Sequence, residues 1–132
     1  PDTASPAEVL RSVRPGDYLA ILAYLPRDRA TADRLERARH AFRDRLRVAT
    51  TVGFGPRYLH STGQLHKGGP DTGVFLVVEE PPDVDVPVPG ESFTFGQLEA
   101  AQARGDIAAL LEHGRRVARL SLAELDALAA AR

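Results

Sequence analysis

Short, almost unbroken apolar runs alternate along this chain with longer stretches in which apolar residues recur every three or four positions. Residues 17–25 are nearly continuous apolar sequence and too short for a typical helix, so they predict a strand buried on both faces, as in a parallel sheet. Over residues 31–46 the period changes. Leu35, Ala38, Phe42 and Leu46 fall on one side with charges between them, which predicts an amphipathic helix, modestly supported by Asp33 and Arg37 at i,i+4. Residues 47–53, rich in Val and Thr, predict a second strand ended by Gly53-Phe54-Gly55-Pro56. A third buried strand is expected over residues 74–78, after a turn at Asp71-Thr72-Gly73. Residues 115–120 alternate charged and apolar positions, as an edge or half-exposed strand would.

Punctuation residues bound the helices. Ser5-Pro6-Ala7-Glu8 is a capping box with proline at the first helical position, opening a short helix to about Val13, and Pro15-Gly16 turns the chain after it. Residues 81–90 are proline-rich and acidic, a surface connection or weak edge strand. Thr94-Phe95-Gly96-Gln97 is a second box, with Phe93 and Leu98 as its hydrophobic staple. The pattern predicts that this helix stops at Gly105 and that Asp106 caps a new one ending near Gly114. Ser121-Leu122-Ala123-Glu124 opens an alanine-rich C-terminal helix. Helices thus alternate with strands, and residues 1–132 read as one α/β domain, a three-layer α/β/α sandwich with a mainly parallel sheet.

Composition narrows the function classes. The chain is 43% hydrophobic and 27% charged, as in soluble globular proteins. No apolar run spans a membrane, no signal-peptide pattern opens the chain, and cysteine is absent. A cytoplasmic protein without disulfides, thiolate metal sites or a membrane partner is expected. A net charge of −1 supplies no field that would gather nucleic acid. With no methionine in the chain, Pro1 is not a natural translation start, and a fragment of a longer protein is expected. Of the 17 basic residues only Lys67 is lysine, and an amine can lose a proton near neutrality or act as a compact point charge where a guanidinium cannot.

Lys67 lies in the densest chemistry of the sequence. His60, Ser61, Thr62, Gln64, His66 and Lys67 fall within eight positions, among glycines at 53, 55, 63, 68 and 69 that allow a ligand close to the backbone. The segment follows the second strand, where open α/β sheets bind ligands, and is expected as a loop with a short helix near residues 57–64. Taken singly, each part has a plainer reading. The glycine–proline cluster can be a turn, Ser61-Thr62 a helix cap and Lys67 a surface lysine; two histidines without a nearby carboxylate do not make a metal site. No metal or other cofactor is expected. His40 and His113 fall on predicted helices and read as solvated.

His60-Ser61-Thr62-Gly63-Gln64-Leu65-His66-Lys67-Gly68-Gly69-Pro70, with Thr50-Thr51-Val52-Gly53-Phe54-Gly55-Pro56-Arg57-Tyr58-Leu59 before it, resembles the C-terminal region of glucose-6-phosphate isomerase-like proteins. The similarity is greatest to the isomerase half of bifunctional transaldolase/phosphoglucose isomerase fusions. Gly16-Asp17-Tyr18 and the run Pro89-Gly90-Glu91-Ser92-Phe93-Thr94-Phe95-Gly96-Gln97-Leu98 are similar to the same region. The resemblance implies a sugar isomerase-type domain and interconversion of glucose 6-phosphate and fructose 6-phosphate through an enediol. It carries over only to Gln64 and Lys67, which look like the glutamine and lysine of the family's C-terminal active-site segment; read from residue type, the catalytic candidates are Lys67, His66 and His60, and the substrate-binding candidates Gln64, Ser61, Thr62, Gly63 and Arg57. Isomerases of the family space the glutamine and lysine further apart, with a glutamate between, where this chain has Gln64-Leu65-His66-Lys67. The glutamate base and the main phosphate loop are expected on an N-terminal sugar isomerase domain of the same chain, so the segment would be one wall of a shared site. The alternatives are a non-catalytic sugar-phosphate-binding module and a dimerisation module that uses Leu122, Leu125 and Leu128 of the C-terminal helix; a homodimer is compatible with either.

Overall fold

Residues 3–55, 72–80 and 87–131 are described by a computed structural model. Ser5 accepts from the Glu8 amide and starts α1 (Pro6–Arg11), which buries Val9 and Leu10. β1 (Tyr18–Tyr24) follows, buried along all but its first residue. α2 (Arg29–Leu46) starts two residues before the apolar period does, because Asp28 caps it by accepting from the Thr31 amide at 2.7 Å. Its period seats Leu35, Ala38 and Phe42 in the core. Arg47, expected to begin the next strand, instead ends α2 in the left-handed conformation (φ 58°), and β2 is Ala49–Phe54. β3 (Gly73–Glu79), α3 (Phe95–Glu112), β4 (Arg116–Leu120) and α4 (Leu122–Ala130) complete the chain.

The four strands form one parallel sheet in the order β2-β1-β3-β4. α1, α2 and α4 bury their apolar sides on one face, against Leu19, Ile21, Ala23, Val74, Leu76, Val78, Ala118 and Leu120. α3 covers the other face with Ala103, Ile107 and Leu110 against Ala20, Leu22, Phe75, Val77 and Val117. Period-two alternation across a sheet buried on both sides explains why β1 and β3 read as unbroken apolar runs. The result is a three-layer α/β/α sandwich. The chain steps from β1 to β2 over α2, and from β3 to β4 over α3 in the opposite direction and on the opposite face, so both crossovers share one hand. Arg34 ties α2 to α4 by donating from Nε to Asp126 at 2.9 Å.

Another expectation is overturned. The helix that was to stop at Gly105 runs on to Glu112, and Asp106 does not cap a second one. Burial decides it: Ala103, Ile107 and Leu110 dock as one stripe on the sheet, and the contacts outweigh the roughly 1 kcal/mol that an interior glycine costs. The helix ends instead at Gly114, where φ is 72°, the left-handed turn that glycine adopts freely. The capping boxes at Thr94 with Gln97 and at Ser121 with Glu124 form as predicted. In α2 the described ion pairs run from Glu36 to Arg39 and His40, from Arg34 to Asp126 and from Arg43 to Asp44, rather than from Asp33 to Arg37.

Candidate functional site

The strand order reverses between β1 and β3, since the chain leaves β1 toward one edge and β3 toward the other. Open parallel sheets bind ligands beyond the carboxyl ends of their strands at such a reversal. Here the flanking strand ends are Tyr24 and Glu79, which are register partners. Both lie on the face covered by α3. The amino edge of the sheet is closed by structural contacts instead: Arg116 donates to the Ser12 carbonyl at 2.7 Å and pairs with Asp17 at 3.1 Å.

Tyr24 is 2% exposed, and its hydroxyl donates to Asp106 Oδ2 on α3. Asp106, itself 6% exposed, stands on the docked stripe between Ala103 and Ile107. The reading of residue types missed this pair. An acid at a buried position of an apolar helical stripe was its visible signal, obscured by reading Gly105-Asp106 as a helix boundary. Gly55 follows β2 at the same edge, where its amide donates to the Ala23 carbonyl at 2.8 Å. A Cβ placed on Gly55 would lie 2.7 Å from Cζ and 2.9 Å from Cδ1 of Tyr24, and closer still to Cε1. Only glycine fits between the end of β2 and that ring.

Charges at this edge are largely paired. Arg119 donates from Nε to Glu79 at 2.8 Å, while Glu80 accepts from the Leu122 amide at the start of α4 at 3.3 Å. The Arg27 guanidinium lies 5.3 Å from the centroid of the Phe54 ring. The Thr31 backbone and side chain hold the Asp28 carboxyl below its ordinary range. Glu99 differs. It stands two turns before Asp106 along α3, on the same side of the helix, half-buried and without a hydrogen-bond or ion-pair partner among the described residues. Burial pushes its carboxyl above the usual value.

Arg57, His60, Ser61, Thr62, Gly63, Gln64, His66 and Lys67 lie outside the described residues, as does the short helix expected near them. The described chain reaches them from Gly55, at the carboxyl edge, and resumes at Thr72, whose carbonyl accepts from the Tyr18 amide at the amino edge. His40 and His113 are exposed, as expected; His113 Nδ1 lies 2.9 Å from the Ala109 carbonyl within its own helix. Leu122 and Leu125 are buried in this chain's own core and Leu128 packs against it, so they do not form a free dimer surface. Among the described residues no three acidic or histidine side chains gather as a metal ion would require, and no helix is long and apolar enough to cross a membrane.

No protein-family model and no curated protein sequence matches the chain. Its architecture is similar to that of hypothetical protein TT0462 from Thermus thermophilus, whose crystal structure aligns with a TM-score of 0.70 at 22% sequence identity. The alignment covers 87% of this chain and 32% of that one, so the chain spans about a third of that protein's length. The likeness is one of fold.

Proposed function

We propose that this chain is the C-terminal, sugar isomerase-like domain of a protein that interconverts glucose 6-phosphate and fructose 6-phosphate, and that residues 57–70 form one wall of its active site. The observation that carries the reading is the position of Gly55. It follows β2 at the carboxyl edge, beside the reversal between β1 and β3, and the chain's densest polar chemistry begins at His60, five residues later.

In the proposed reaction the sugar ring opens, a base takes the proton from one of C1 and C2, and the enediol is reprotonated on the other. Lys67 neutralises charge developing on the enediolate oxygen, the kind of contact worth roughly 10²–10³ in rate. His66 or His60 moves the hydroxyl proton, since imidazole titrates near neutrality. Gln64 orients a sugar hydroxyl, Ser61 and Thr62 offer hydroxyl donors to the phosphate, and Arg57 adds a cation. The base and the main phosphate loop come from an N-terminal domain of the same polypeptide. The test is the isomerase assay in both directions on the full-length protein. Turnover of both sugar phosphates supports the reading, and saturable binding without turnover would replace it with a sugar-phosphate-binding module.

A further inference from the structure

We infer that Tyr24 and Asp106 are positioning residues: as a buried pair they hold Gly55 in place where the chain leaves β2. The inference rests on the proposed function only for its catalytic consequence, because the brace itself is read from the described residues.

Three contacts in series make the brace. α3 docks on the sheet through Ala103, Ile107 and Leu110, which fixes Asp106 between them. Asp106 accepts from the Tyr24 hydroxyl, across 82 residues of sequence, and so fixes the ring at its far end. The ring in turn occupies the space a side chain at position 55 would need, while the Gly55 amide is held on Ala23. A ring held by hydrocarbon alone could tilt or slide. One tethered to a carboxylate on a separate helix cannot move without α3.

The chemistry of the pair favours a geometric role over a stabilising one. Burying a carboxylate costs free energy that its partners recover only in good geometry, and an apolar pair of similar volume is commonly as stable. A phenylalanine facing a leucine would fill the same core. What the polar pair adds is a fixed ring position, at the strand end from which the chain departs toward Lys67. Tyr24 also borders Glu79 across the sheet reversal, so the brace lies beside the place where a substrate would sit.

Tyr24→Phe keeps the ring and removes the tether. In the full-length protein, amide exchange and steady-state isomerase kinetics are measured together on wild type and variant. The expected result is exchange about tenfold faster at the Gly55 amide, which is held on the Ala23 carbonyl, with amides of α2 and β3 unchanged. A kcat lower by about 10- to 100-fold and a nearly unchanged KM should accompany it, as misplacement of a catalytic wall would give. A purely structural pair would instead speed exchange evenly across the domain and leave kcat per folded molecule intact, and that result overturns the inference. So does unchanged exchange at Gly55, or faster exchange there with wild-type kcat. Should wild type turn over neither sugar phosphate, the isomerase reading falls while the exchange pattern still decides the brace. If Tyr24→Phe does not fold, the double variant Tyr24→Phe/Asp106→Leu, which removes both ends of the tether, is held to the same criteria.

Discussion

Gly73 lies directly beneath the phenol ring of Tyr18, so that a Cβ on it would stand 2.6 Å from the Tyr18 hydroxyl oxygen and 2.8 Å from Cζ of Phe75. The two residues are register partners at the amino ends of β3 and β1, and Tyr18 meets Phe75 edge-on with ring centroids 6.0 Å apart. The contact mirrors that between Gly55 and Tyr24 at the other end of β1. The chain thus leaves β2 and enters β3 at two glycines, each packed under a β1 tyrosine. Tyr18 is only half-buried and can yield, but Phe75 is fully buried and cannot. Gly73→Ala is expected to destabilise the domain by about 1–3 kcal/mol, the usual cost of overpacking a filled site, measured by denaturant unfolding. A stability equal to wild type would show that the ring pair moves aside freely.

Gly105 should respond with the opposite sign. It sits inside α3 without a positive φ, and a Cβ placed on it would meet nothing within 4 Å. Gly105→Ala restricts the unfolded chain and adds no clash, so a gain of roughly 0.5–1 kcal/mol is expected in the same unfolding experiment. A loss would mean that α3 needs the freedom of glycine at that turn.

Glu99 gives the fold a pH dependence of definite sign. Burial raises its carboxyl above the ordinary 4.5. A group harder to ionise in the folded chain costs nothing while protonated in both states, and it lowers stability as pH rises from the unfolded value through the raised folded one. Glu99→Gln removes that cost. The thermal midpoint of the variant should exceed wild type at about pH 7 and coincide with it at about pH 3, where the Glu99 carboxyl is protonated in both folded and unfolded chains. Equal midpoints at both pH values would show that Glu99 ionises as if in water.

The layering was legible in the sequence because it depends on period. The unbroken runs in β1 and β3 announced strands covered on both faces, and Leu35, Ala38 and Phe42 announced the side of α2 that meets the sheet. Caps at Ser5, Thr94 and Ser121 were legible because each side chain answers a local backbone donor. Gly105-Asp106 was misread because what keeps α3 continuous is not local. The stripe docks on a sheet assembled from strands distant in sequence, and Asp106 answers Tyr24 across the fold. Arg47 was misplaced for a related reason, its left-handed conformation being imposed by the turn between α2 and β2 and not by residue type. At the candidate site the sequence identified a stretch dense in chemistry, but not the Tyr24–Asp106 pair beside it, since neither residue has a neighbour in sequence that signals the other.

Fructose 6-phosphate turnover by the full-length protein, compared between wild type and Lys67→Ala, tests the central claim most directly. The account predicts an active wild type and a loss of about 10²-fold or more in kcat/KM for the variant, with an unchanged thermal midpoint. Wild-type kcat/KM in Lys67→Ala, or no turnover by either protein, would contradict it.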